Sequence, residues 1–587
     1  YDLPTAKFPF LKWIRATYSY QGDYQWQDGS DLFSNVEVPS ENGPSVFYDL
    51  GNSVQNASTH RINSNLDLTS LYRYLGIKKL TGSSDEGDGR SGEGSNSLLG
   101  GAAGKGQERE SMNKRDQIMA LRNGSNSNAR PAKKLSPGQK VVNSLIGLAT
   151  SVKKAQINYL ENNGIFLPGY LPSVGFGGSL RPSTGFVFGS QAEVRDLAAR
   201  KGWLTIFPEF NQQYTEVESR QLDMQVNTEL LDDLKIDFNA SRLYSENFSE
   251  NYIVEDGLYR SLTPNTFGNF NISTVLINTA FGNSDEFGSA AFDAFKSNRL
   301  TIAQRLAERF YGSTTYPVDE EGYPEGFGKN SQQVLLPAFV AAYRGSDASK
   351  ERSGIFRDVP LPNWDLKYTG FMKMKWFKKR FKRFSIQHGY RAAYTLNQFQ
   401  TNLDYNRFDP TELDQSGNFK SEIILNNVNL TEQFSPLIKV DFEMMNSVKI
   451  LAEIRKDRAL SLSFANNLMT EIQGEELILG LGYRIKDLRI GTNFGGKRSV
   501  MKSDLNFKLD FSVRDNKTII RYLDVDNNQT TAGQTIYGLQ FSSDYALTKN
   551  LTALFFYDHT FSEYAISTAF PQTTIRSGFT LRYNFGN

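Results

Sequence analysis

Three histidines and one dense basic-aromatic run are the residues of this 587-residue chain best suited to chemistry. His60, His388 and His559 lie far apart, with no HxxxH, HExxH or paired-carboxylate spacing around them. That pattern fits structural histidines, because an outer-membrane hydrolase would need a Ser or Asp brought to one of them in space. The absence of Cys excludes disulfides, thiolate zinc sites, iron–sulfur clusters and a cysteine nucleophile. No P-loop GxxxxGK[ST] occurs, so energy for any transport must come from elsewhere, and the expectation is a non-enzyme with no cofactor and no metal. Phe371–Phe384 reads FMKMKWFKKRFKRF. Such a run either stacks on nucleic-acid bases or sits at a membrane interface with its cations on lipid phosphates. Lys+Arg total 65 against 64 Asp+Glu, which is not the basic footprint of a nucleic-acid binder. The interface reading is therefore preferred, with Trp376, Phe377 and Phe381 at the headgroups of a lipid bilayer and no nucleic-acid partner.

The elements that must position these residues are strands. No stretch approaches 18 consecutive apolar residues, so no helical membrane span is expected. Apolar residues make up 39% of the chain, yet aromatic residues reach 13%, an excess unusual at a mean hydropathy of −0.46. Period-2 alternation accounts for both figures. In Lys502–Arg514, Leu505, Phe507, Leu509, Phe511 and Val513 share one face. Lys502, Asp504, Asn506, Lys508 and Asp510 share the other. The last strand sets Ile575, Phe579, Leu581, Tyr583 and Phe585 against Arg576 and Arg582. Ile438–Met444 and Leu477–Tyr483 alternate likewise. About sixteen such segments of roughly ten residues are expected, the length of a tilted strand crossing a bilayer. A soluble sandwich or propeller also alternates, but the charged polar faces and the aromatics at segment ends favour a large antiparallel transmembrane β-barrel in an outer membrane. Lys502, Asp504, Asn506, Lys508, Asp510, Arg576 and Arg582 are then candidate pore-lining residues. Their mixed sign suits a broad hydrated channel better than an ion-selective filter. Tyr583 and Phe585 join the interface set.

Connections in the C-terminal part are read as alternately tight and long. Lys486-Asp487 and Leu547–Asn550 are the tight ones; Asn466–Glu475, Val525–Ala532 and Ser562–Thr574 are the long ones. Val448–Phe464 keeps one parity across Arg455–Arg458, which favours a single long strand over a hairpin. Along the chain, residues 1–80 read as barrel strands and 81–140 as a polar Gly/Ser-rich insertion. Strands resume over 141–282, starting at Val141–Val152. Residues 283–353 form a second insertion, with an amphipathic packing helix through Leu300, Ala303, Leu306, Ala307 and Phe310. Barrel strands return over 354–587. The opening residues carry no signal-peptide pattern and already read as strand, which gives the expectation of a fragment of a longer barrel.

Several stretches carry a resemblance. Gly51–Asn56 with Leu71–Leu75, Phe356–Trp364, His388–Arg391, Phe434–Leu437 and the closing Arg576–Phe585 strand resemble the SprA/Sov family. That family forms the outer-membrane translocon of the type IX secretion system in Bacteroidota and is linked to gliding motility. The resemblance implies a very large barrel, of which this chain would be the C-terminal portion, conducting folded cargo proteins that bear a C-terminal targeting domain. It also implies a PorV-like shuttle barrel, a plug protein and the remaining N-terminal part of the barrel as partners. A TonB-dependent or SusC-type nutrient-uptake barrel is the alternative, distinguished by an N-terminal plug domain.

Overall fold

Alternation dictates what these strands become. A segment with one apolar and one polar face lowers its free energy by pairing with like segments in register, which joins all the apolar faces into one surface. The computed structural model describes residues 7–39, 44–77, 137–174, 179–494, 497–525, 527–547, 550–566 and 569–585. Most of the expected insertion at 81–140 lies outside them. β1 (Ile14–Gln27) is followed by a small separate hairpin, β2 (Val36–Val38) and β3 (Val46–Tyr48), and then by β4 (Asn52–Asp67). β5 (Val152–Tyr170), β6 (Tyr214–Leu231), β7 (Leu234–Glu255) and β8 (Leu258–Ser273) continue the main sheet. β9 (Asn363–Tyr368), β10 (Phe381–Thr401), β11 (Ile423–Leu425) and β12 (Asn427–Met444) come next. β13 (Val448–Ser463), β14 (Leu468–Phe494) and β15 (Lys497–Tyr522) are followed by β16 (Asn528–Ala546), β17 (Leu551–Tyr564) and β18 (Gln572–Tyr583). The result is all-β: one 16-stranded antiparallel sheet of the up-and-down kind that builds β-barrels, with β1 and β18 at its two edges.

Residues 72–150 form a unit of their own. Within it, strand was expected from Val141, but the chain is helical over α2 (Pro137–Ala149), after the short α1 (Leu68–Tyr74). Val142, Leu145 and Leu148 recur every three residues, a helical spacing.

The strands are much longer than the ten residues expected, 27 in β14 and 26 in β15. Three expected connections change accordingly. Lys486-Asp487 is a bulge between Ile485 and Leu488 inside β14, with Asp487 at a φ of 55°. The supposed long loops Asn466–Glu475 and Val525–Ala532 are mostly strand, so the true connections there are short. Val448–Ser463 is a single strand.

The register keeps one parity from strand to strand. Ile454 faces Ile438 and Leu477, Leu477 faces Val513, Val513 faces Tyr537, and Tyr537 faces Phe561. Along this face the central strands change character about halfway, while edge strand β18 stays exposed along its length. Toward the end holding the 445–447 turn and the start of β17 the face carries exposed apolar side chains such as Leu479, Leu481 and Phe555. Toward the other end the same face is buried beneath the chain's own insertions. Val428, Leu430, Leu460, Leu462 and Met469 pack against α4 (Ala290–Tyr311) and α5 (Gln332–Arg344). Val54, Ile165, Leu167 and Tyr252 pack against residues of the 171–213 segment, including Ala198 and Ala199 of α3 (Arg195–Arg200).

The 283–353 insertion thus holds two helices rather than one. α4 is capped by the Ser289 hydroxyl and ended by Gly312 at a φ of 63°. Ala303 and Ala307 are buried as the spacing implies, whereas Phe310 stays 45% exposed. In α5 every residue from Val334 to Tyr343 is buried, so no amphipathic stripe marked it. The insertion interrupts the wall partway along one strand position rather than at the rim of the sheet. β8 and β9 share one position between β7 and β10, and residues 274–362 depart where β8 stops and return where β9 starts.

Buried ion pairs fasten both insertions to the wall. Arg521 and Glu471, both fully buried, meet at 3.1 Å, and Arg521 also donates to the Ser284 hydroxyl at 2.8 Å. Arg458 donates to Glu432 at 2.9 Å and to the Thr279 carbonyl at 3.0 Å. Arg195 donates to buried Glu250 at 2.5 Å. Burial opposes the Arg195 charge, but its hydrogen bonds to Glu193 and the nearby carboxylates raise its pKa above the ordinary arginine value.

Removing one partner of a buried pair strands the other charge, at a cost of about 3–5 kcal/mol. Glu471→Ala and Glu432→Ala are each expected to loosen the 274–362 insertion. Hydrogen exchange should show α4 and α5 losing protection while β14 and β15 keep theirs. Unchanged exchange in the helices would remove the pairs from this role.

Candidate pore-lining face and lipid-facing belt

On the polar side of the sheet, charged side chains of both signs interlock from strand to strand. Arg383 reaches Asp441 at 3.1 Å and Lys439 reaches Glu453 at 2.9 Å. Arg455 bridges Glu453 at 2.6 Å and Glu476 at 3.2 Å, and Arg514 lies 3.4 Å from Asp457. The ladder runs on through the residues singled out from sequence. Arg484 donates to Asn506 at 2.8 Å and lies 3.6 Å from Asp504. Asn506 donates to Asp544 at 2.9 Å, Lys508 pairs with Asp510 at 2.5 Å, and Lys502 lies 3.3 Å from Asp487. Lys502, Asp504, Asn506, Lys508 and Asp510 therefore share one face of β15, within a paired, half-exposed network.

Arg576 and Arg582 lie apart from that network, on edge strand β18. Arg576 stands opposite Asp558, whose row continues through Gln540 to Asp510. Neither arginine forms an ion pair among the described residues. Arg484, Glu476, Arg455 and Asp544 were missed as pore-lining candidates, although their polar parity was available in the sequence. Gly480 and Gly482 open a hollow on this face, where a Cβ on Gly480 would come within 2.9 Å of Asp510 Oδ1.

The opposite face carries the belt. Leu477, Leu479 and Leu481 on β14 continue into Leu509, Phe511 and Val513 on β15, Tyr537, Leu539 and Phe541 on β16, and Phe555 and Tyr557 on β17. Leu481 is 47% exposed and Phe579, on β18, 65% exposed. Leu505–Val513 at about 3.3 Å per residue, tilted by about 40°, rises roughly 23 Å. That matches the apolar band of a membrane barrel, about 25 Å tall. Above the belt the face turns polar: Lys456 pairs with Glu475 at 2.6 Å, and the buried Arg458–Glu432 pair follows.

The aromatic candidates cluster at the belt's other rim. Trp376 and Phe377 lie on α6 (Lys375–Arg380), and Phe381 opens β10. Ring centroids are 5.0 Å apart for Phe377–Phe384 and 5.1 Å for Phe381–Phe442, while the Arg380 guanidinium lies 4.5 Å over Trp376. Tyr583 ends β18 and stacks edge-on with Phe585 at 4.8 Å.

The histidines are not brought together. His60 Nδ1 lies 2.8 Å from the Tyr18 hydroxyl, His388 Nδ1 lies 2.7 Å from the Leu437 carbonyl oxygen, and His559 stands beside Tyr557 on β17. Among the described residues no group of His, Asp and Glu could hold a metal, and no helix is long and apolar enough to cross a membrane.

The two faces predict opposite tolerance to charge. Leu479→Arg, in the belt, is expected to cost about 2–4 kcal/mol, and Ser512→Arg, on the polar face, no more than about 1 kcal/mol. Equilibrium unfolding from lipid vesicles measures both. Equal costs would mean that the faces are not divided between lipid and water.

No family model and no curated protein matches the chain. Among solved structures, the ferric-catecholate import receptor Fiu from Escherichia coli K12, in its closed form, aligns at 8% identity and a TM-score of 0.22. The alignment covers 94% of this chain, which spans 65% of that receptor, and at that score it supports no argument.

Proposed function

We propose that this chain is part of the wall of an outer-membrane protein-conducting channel, the C-terminal portion of a type IX secretion translocon. One observation carries the reading: a continuous antiparallel wall with a bilayer-high belt on one side and an ion-paired hydrophilic surface on the other. The stretches that resemble the SprA/Sov family support that reading.

The physical function follows from the two faces. The belt excludes water and holds the wall in lipid, while the hydrophilic face offers a passing protein a wet surface without a dominant sign of charge. Paired charges of both signs bind a folded cargo weakly, so passage needs no covalent step. In lipid an open edge leaves N–H and C=O groups without partners, so β1 and β18 require further strands. Among the described residues each pairs with one neighbour only. The remaining barrel strands are the proposed partners there, with a PorV-like shuttle barrel, a plug protein and targeted cargo beyond them.

Protein purified from outer membranes and fused into planar bilayers should show large, weakly selective conductance once any plug is removed. The coding sequence upstream should read as further alternating strands. Upstream sequence encoding a compact plug domain, with ligand-dependent uptake and no such conductance, would replace this reading with that of a TonB-dependent receptor.

A further inference from the structure

Residues 371–384 hold seven basic residues and no acidic one. Three are neutralised by neighbours at the same end of the sheet: Lys373 by Asp233, Lys382 by Glu443 at 3.0 Å, and Arg383 by Asp441 at 3.1 Å. The carboxylates nearby are engaged by these pairs. Lys375, Lys378, Lys379 and Arg380 remain, all exposed on α6 and without an ion pair among the described residues. Such a surplus repels itself unless anions collect beside it.

The four cations do not stand free of the belt. Trp376, 53% exposed, holds the Arg380 guanidinium over its ring. Phe377 packs on Phe371 and Phe384, and Phe384 stacks on Phe442 at 5.8 Å with an interplanar angle of 18°. Phe442 lies in the belt register, opposite Ile450. The Arg380 carbonyl accepts from Met445 N at 3.0 Å, which ties the helix to the turn between β12 and β13. An aromatic wedge at the apolar rim with unpaired cations just outside it fits the two layers of a lipid, acyl chain and phosphate.

We propose that α6 and its aromatic wedge form a binding site for anionic glycerophospholipid headgroups at the short-turn rim of the belt. This rests on the membrane-spanning reading above. Lys375, Lys378, Lys379 and Arg380 supply the phosphate contacts, and Trp376 and Phe377 sit among the upper acyl carbons. Each cation near an anionic surface changes partitioning by roughly fivefold, so four act strongly together.

The test reconstitutes the purified protein into nanodiscs of phosphatidylcholine alone or mixed with phosphatidylglycerol, and measures the lipids retained on detergent extraction. Enrichment of phosphatidylglycerol is expected, falling at least tenfold in the combined variant Lys375→Gln, Lys378→Gln, Lys379→Gln, Arg380→Gln. Equal neutralisation of Lys201, Arg260, Arg309 and Lys350, toward the end covered by the insertions, should leave enrichment intact. If the fourfold variant fails to fold, Lys378→Gln with Lys379→Gln should show an intermediate loss. Incorporation without any preference overturns the site and leaves the membrane reading standing. Failure to enter either nanodisc overturns both. Binding of single-stranded RNA that the same substitutions abolish, without lipid enrichment, also overturns it.

Discussion

One constraint organises this structure: the parity of the strands is shared across the sheet, so whatever one strand presents on a face its neighbours must match. A single-residue slip would throw an apolar set among the charges. Bulges occur, as at Ile485/Leu488, yet the matched rows from Ile438 to Phe561 survive them. The belt and the charged ladder are two consequences of that one register.

The same parity creates a difficulty beyond the belt. The strands run well past the thickness of a bilayer, and their apolar face continues with them. Left bare in water, Leu460, Leu462, Met469 and Val428 would make an adhesive strip. The chain covers them with its own insertions. Covering that face also buries Glu432, Glu471 and Glu250, which would be costly unpaired. Arg458, Arg521 and Arg195 answer them, and Arg195 comes from an insertion rather than from the wall. The two central pairs join strand to strand and at the same time reach Thr279 and Ser284. Carboxylates buried on the apolar parity thus mark where the face passes from lipid to protein.

Much of the wall was legible in the sequence, because alternation is a local signal. Lys502–Arg514 and Ile575–Phe585 announce their two faces residue by residue. The signal failed where the environment of one face changes along a strand. Glu471 and Gln473 stand on an otherwise apolar parity, so a segment including them reads as loop although it is the start of β14. The helix α5 carries no periodicity because burial surrounds it on all sides. The polar ladder was half visible: each member's parity could be read, but its partner lies a register step away on another strand. Pairing is a property of the sheet, not of the segment.

The interrupted strand shows how closely the insertion is fitted to the membrane boundary. β8 ends at Ser273 and β9 begins at Asn363, beside Ala392, which pairs with Glu432, which in turn faces Arg458. The chain therefore leaves the wall in the charged row just above the belt. A break lower down would expose unpaired backbone to hydrocarbon, where nothing could satisfy it. At this level the gap is sewn shut: Leu361 N donates to the Ser273 carbonyl at 3.0 Å, and Thr274 N to the Ala392 carbonyl at 3.0 Å. The Ser273 hydroxyl donates to the Leu361 carbonyl at 2.8 Å, and Ala392 N donates to Asn363 Oδ1 at 2.8 Å. Residues 274–362 can thus interrupt a strand without breaking the wall, because the interruption falls where lipid gives way to the chain's own protein cover.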